Sequence, residues 1–233
     1  MPLINLFQSD QPALTVSLLD NDARLAKAVQ DAGADGIKLH TNLSHGPTGR
    51  TLGSLERERD RILSVLEAVD IPVGIVPRGS HGTTRDEVVA MRDMGFDFVD
   101  LYGHVMNPSI LGVDGITTWV AAKEGYDVEL LRALAQHRGV DVIEAAFFPI
   151  DAFGTPLTVD DVVRLRLAVE ALAGTGVPLV MPTDRRLEVY DLAPLADVGI
   201  QNFLIGYAST GDTLTSIVAA TERFRRGLDE CNA

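Results

Sequence analysis

Cysteine is nearly missing from this chain: Cys231 is the single one in 233 residues. One thiol excludes an intramolecular disulfide, so the fold rests on its core, and a reducing, cytoplasmic setting is the expectation. Positive charge is also scarce, with 20 Lys and Arg against 33 Asp and Glu and a net charge of -13. Binding to phosphate backbones or anionic bilayers depends on Lys and Arg, so neither nucleic acid nor a membrane surface is an expected partner. A small anionic metabolite is not excluded, because a local positive pocket can form on an acidic protein. No apolar run reaches the roughly 18 residues of a membrane span. The opening MPLINLFQSDQ has neither a basic region nor a long apolar stretch, so a signal peptide is not expected. Linkers and low-complexity segments are lacking too, which implies one domain over residues 1–233.

What the chain does contain is a regular alternation of short β-branched runs with longer amphipathic segments, the pattern of βα units around a parallel sheet. Strands are expected over 13–20, 35–41, 71–78, 96–103, 116–125, 140–149, 177–185 and 200–210. Between most of them lies a helical segment, the first capped by Asn21 or Asp22. Several helices end at a glycine just before the next strand, as at Gly33, Gly95, Gly139, Gly176 and Gly199. After the fourth strand, HVMNPSILGVDG is too short and broken for a full crossover helix. This pattern predicts a single (β/α)8 TIM barrel with a shortened or missing helix after strand four. The rival is an open doubly wound sheet, but no G-x-G-x-x-G follows the first strand to support its dinucleotide-binding form.

Reactive side chains of such barrels sit at the C-terminal ends of the strands, where interior and exterior positions alternate. In DGIKLH the apolar Ile37 and Leu39 take the helix side, leaving Gly36, Lys38 and His40 inside. The same parity turns Asp100 and Tyr102 inward on strand four and Glu144 on strand six. On strand five it groups Lys123 with Trp119 and Ala121. A buried lysine is rare unless paired. Lys38, Asp100, Lys123 and Glu144, with Asp20 ending strand one and His40 beside Lys38, form the expected catalytic set. Carboxylates can move a proton next to a carbonyl while an ammonium stabilises the enolate, or a lysine can form an imine. The plainer alternative is an ion-pair layer that fills the barrel.

Four of the 5 histidines, His40, His45, His81 and His104, fall on the same end of strands two to four. They leave open a divalent metal held by His40, His81, Asp100 and His104, although no H-E-x-x-H or comparable spacing is present. Otherwise no cofactor is expected, and the histidines would serve as acids, bases or hydrogen-bond donors. Ser209, Thr210 and Gly211 after strand eight are candidate phosphate donors at a helix start. Arg185, Arg78 and His104 are candidate substrate contacts. Helix capping explains the first group equally well.

AGADGIKLH, IPVGIV and ADVGIQNFLIGYAST together resemble the ribulose-phosphate-binding and aldolase-like class of (β/α)8 barrels. That resemblance implies a barrel enzyme of the isomerase, epimerase, decarboxylase or aldolase type. Two features of the class are replaced: the D-x-K-x-x-D of its decarboxylases is absent from strand three, and Glu144 stands where several aldolases carry a strand-six lysine. The reading is a lyase, aldolase or isomerase acting beside the carbonyl of an anionic metabolite, with homo-oligomerisation expected. A metal-dependent lyase or hydrolase and a non-catalytic binding or assembly barrel are the alternatives.

Overall fold

The structure, a computed structural model, describes residues 3–77 and 82–232. Eight parallel strands close into a barrel: β1 (Ala13–Ser17), β2 (Gly36–Thr41), β3 (Val73–Pro77), β4 (Phe98–Tyr102), β5 (Thr117–Ala121), β6 (Val142–Glu144), β7 (Leu179–Pro182) and β8 (Asn202–Ile205). The order around the ring is sequential, and β8 pairs with β1 through Ala13 to Val16. The expected barrel is present.

Helices fill the outer layer: α2 (Ala23–Asp31), α3 (Leu55–Ala68), α4 (Arg85–Met94), α5 (Val128–Ala135), α6 (Val159–Leu172), α7 (Leu192–Asp197) and α9 (Leu214–Cys231), with the short α8 (Tyr207–Thr210) after β8. Their starts follow local chemistry. The Asp22 carboxylate accepts from the N–H groups of Arg24 and Leu25, and Thr84 with Glu87 forms a reciprocal capping box. After β4 only a 3₁₀ turn, Pro108–Ile110, spans the helix layer, so the missing helix is as expected.

A repeated device registers the strands. In Gly33-Ala34-Asp35, Gly95-Phe96-Asp97 and Gly139-Val140-Asp141 the glycine has positive φ; Gly33 and Gly95 end α2 and α4, whereas Gly139, expected to end a helix, lies in the turn beyond the Gln136 cap of α5. The aspartate then accepts a hydrogen bond from the backbone N–H of Leu14, Val73 or Thr118 on the preceding strand. Each carboxylate thereby satisfies a backbone donor near the bottom of the barrel, where it would otherwise be lost from water.

Several strands are shorter than the sequence suggests. The first stops at Ser17, the sixth at Glu144 and the seventh at Pro182, while the eighth ends at Ile205 and the chain turns into α8. At these ends the chain leaves the ladder to form the mouth, so apolar composition outlasts strand pairing. Elements not foreseen include α7, α8, which takes the place of the end of the expected eighth strand, and the N-terminal helix α1 (Leu3–Phe7).

α1 plugs the bottom of the barrel. Leu3 and Phe7 pack with Ala13, Phe98, Trp119 and Leu204, and the Phe98 and Trp119 rings stack at 4.1 Å. Gly74 makes room for this stack, since a Cβ there would lie 2.1 Å from the Phe98 ring. The floor is therefore sealed and apolar, and the polar residues collect at the opposite end. No helix among the described residues is long and apolar enough to cross a membrane.

Candidate active site

Side chains from β2, β4 and β6 meet in the barrel interior. Lys38 Nζ lies 2.6 Å from Asp100 Oδ2 and 2.7 Å from Glu144 Oε2. All three residues are buried, at 5 %, 3 % and 6 % exposure. Parity brings them there: each occupies an inward position on its strand, one layer above Phe98 and Val142.

Their electrostatics follow from two acids sharing one cation. Burial alone would pull the Lys38 pKa down, but Asp100 and Glu144 reverse this and hold it above the ordinary lysine value. Lys38 is therefore an ammonium at neutral pH. Burial pushes Glu144 well above its usual range, and Asp100 raises it further by charge and by a carboxyl–carboxyl hydrogen bond; Lys38 opposes both. Asp100 Oδ1 is buried without a hydrogen-bond partner among the described residues.

Above the triad opens a cavity of about 620 Å³. Lys38 and Glu144 line its floor, with His40, Tyr102, His104, Lys123 and Asp184 on its walls. His40 is buried, and its Nδ1–H donates to the Leu18 carbonyl at 2.9 Å. Lys123 and His104 are exposed at the rim. Across the mouth from β2 reaches a small hairpin, Ser44–His45 with Arg50–Thr51, whose His45 ring meets Tyr207 edge-on at 5.1 Å.

Other expected residues are placed elsewhere. Asp20 lies on the outer rim, paired with Arg50 at 3.1 Å and with Arg61. The Arg185 guanidinium binds Asp161 at 3.0 Å and the Thr155 hydroxyl, tying β7 to the start of α6. Ser209 Oγ accepts from the Leu187 N–H. The N–H groups of Ser209, Thr210 and Gly211 all bond back within α8, to Gly206 and Tyr207 carbonyls. That segment thus spends its donors on its own turn. Arg78 and His81 lie outside the described residues.

Among the described residues no group of three His, Cys, Asp or Glu side chains is arranged to hold a metal ion. His40, Asp100 and His104 do not form a ligand set by themselves. Asp184 is the wall residue that the sequence reading passed over. Burial pushes its carboxyl up, while Lys38 pulls the other way. Its signal is the alternation Val180, Pro182, Asp184, which continues the inward parity of β7 beyond the strand.

No protein-family model matches this sequence, and comparison with curated proteins gives no match. Solved structures do resemble it. Thiamine phosphate pyrophosphorylase from Pyrococcus furiosus superposes with a TM-score of 0.65 at 16% identity, over 94% of this chain and 96% of that one. An HpcH/HpaI aldolase from Desulfitobacterium hafniense gives 0.61 at 15%, over 84% and 86%. A citrate synthase variant gives 0.60 at 15%, over 87% and 88%. The chain thus shares the (β/α)8 barrel fold of these proteins, a likeness of architecture that leaves its chemistry to be argued from its own residues.

Proposed function

We propose that this protein is an enzyme that moves a proton beside a carbonyl group, as lyases of the aldolase type and isomerases do. The observation that carries this reading is the buried Lys38–Asp100–Glu144 triad at the floor of an open cavity. A layer serving only to fill the barrel would be cheaper in Val or Ile, because desolvating paired charges costs several kcal/mol per ion.

Glu144, once ionised, takes the proton from the carbon next to the carbonyl. The C–H electron pair becomes the enolate C=C bond, and the carbonyl π electrons move onto oxygen. Lys38, fixed as an ammonium, stabilises that oxygen. Asp100 holds Lys38 in place and balances its charge. The proton on Glu144 is then returned to carbon for isomerisation. In C–C cleavage Glu144 instead takes the proton of a hydroxyl one carbon further out; the O–H electrons become a new C=O bond, the C–C pair becomes the same enolate, and Glu144 returns the proton to the enolate carbon. A carboxyl with a raised pKa is the stronger base of its kind, which suits it to this task near neutral pH.

Imine chemistry is better suited to Lys123 than to Lys38, because an amine held protonated by two carboxylates is a poor nucleophile. The fold neighbours include proteins described as an aldolase and a pyrophosphorylase, which agrees with a lyase or transferase plan on this scaffold.

The test is proton exchange. In D₂O, NMR should show loss of the signal beside the carbonyl for at least one compound of a 2-oxo acid and keto-sugar panel. Glu144→Gln should slow exchange by about a hundredfold or more, and Lys38→Met by a similar factor. Borohydride with the same panel, followed by peptide mapping, reports any imine. An adduct on Lys38, or exchange untouched by both substitutions, would overturn the assignment of roles.

A further inference from the structure

The cavity over the triad has two unlike sides. β6 and β7 lie across the eight-strand ring from β2 and β3. From β6, β7 and the turn between β6 and α6 come Ala146, Phe148, Pro149, Phe153 and Pro182, an apolar cluster that shares this side with Thr183 and Asp184. The polar groups are His40 from β2, across the ring, with Tyr102, His104 and Lys123 from the ends of β4 and β5, where β5 borders β6. Phe153 stands at the lip with 38 % of its surface exposed, an aromatic ring that water covers only at a cost.

Charge is equally one-sided. Lys38 is already matched by two carboxylates, and Lys123 forms no ion pair among the described residues. Glu124 and Asp184 also line the cavity, so among the described residues the acids left over outnumber the unpaired cation. One monoanionic group is satisfied by Lys123, whereas a dianionic phosphate would face excess negative charge. The backbone donors of 209–211 offer it nothing, being bonded within α8.

We infer that the substrate is a non-phosphorylated carboxylate with an aromatic or branched aliphatic arm. This deepens the proposed function and rests on it for the carbonyl group. The carboxylate meets Lys123 at the polar rim, the carbonyl reaches Lys38 and Glu144 below, and the arm lies against Phe148 and Phe153. A cavity of about 620 Å³ has room for a compound of that size.

Isothermal titration calorimetry on the whole protein at neutral pH tests this with three probes: phenylpyruvate, pyruvate and ribulose 5-phosphate. Phenylpyruvate should bind at least tenfold more tightly than either of the others. Phe153→Ser, at an exposed position, should reduce phenylpyruvate affinity several-fold and leave that of pyruvate, which has no arm to reach it, unchanged. Lys123→Met should weaken both oxo acids. Tighter binding of ribulose 5-phosphate, equal affinity for the two oxo acids, no binding of any probe, or indifference to Phe153→Ser would each overturn the inference. Binding is read without turnover. Phenylpyruvate that binds as expected but exchanges no proton would therefore count against the proposed reaction and not against this ligand class.

Discussion

Two carboxylates within hydrogen-bonding reach of one ammonium cannot all behave as isolated groups, and at the residue scale this sets the pH behaviour of the protein. Glu144 holds its proton more tightly folded than unfolded. The stability it contributes is therefore full below its ordinary value of 4.5 and is lost as pH rises through its raised folded pKa. Its role as a base has the opposite dependence, because only the ionised form accepts a proton. The rate should climb with pH along a limb whose midpoint lies well above 4.5, and Glu144→Gln should abolish the limb as well as most of the rate. Lys38, raised above its usual value, stays charged throughout that range, so no loss of its ammonium interrupts the climb. A pH–rate profile of the exchange reaction checks this; a limb at ordinary carboxylate values would reject it. Lys38, Asp100 and Glu144 were all legible in the sequence, because a charge inside an apolar alternation has few explanations. Asp184 was less so, since it follows the last paired residue of its strand.

At the scale of elements, Arg185 and Ser209, two of the residues expected to hold phosphate, bond to the scaffold. Arg185 joins the end of β7 to Asp161 at the start of α6, and Asp161 also accepts from the Thr158 N–H in a capping box. Arg185→Met should cost about 2 kcal/mol of stability, the order expected for a charged hydrogen bond, and leave ligand affinity unchanged. Chemical denaturation with calorimetry on the same variant separates the two; weakened binding with unchanged stability would return Arg185 to the site. An arginine after a strand looks the same in sequence whether it faces the mouth or a helix. Which neighbour it meets is decided by where α6 begins in space. The Gly-x-Asp repeat was legible as glycines placed just before strands. That each aspartate reaches back to the preceding strand follows only once the strands lie side by side.

The whole molecule divides its barrel into a dry floor and a polar mouth, and α1 makes that division complete. Phe7 packs against Trp119, with ring centroids 5.3 Å apart, beneath the layer that carries the triad. Phe7→Ala should destabilise the fold by about 3–5 kcal/mol, as large-to-small core changes do, with ligand affinity at the distant mouth little altered. Thermal unfolding alongside the calorimetric titration reads both; equal stability of the variant would mean that the plug is dispensable. This helix was not legible in the sequence, because its five residues are too few for a periodic pattern to register.

By itself the sequence determined the repeating βα plan, the closed barrel and the inward parity of Lys38, Asp100 and Glu144. Those depend on local alternation and helix-ending glycines, which neighbouring residues dictate. Tertiary structure alone decided that one lysine serves two acids, that Arg185 and Asp20 are drawn off into other ion pairs, and that the N-terminus seals the floor. Each of these depends on closing the ring, which sets distant strands and loops within a few ångströms of one another.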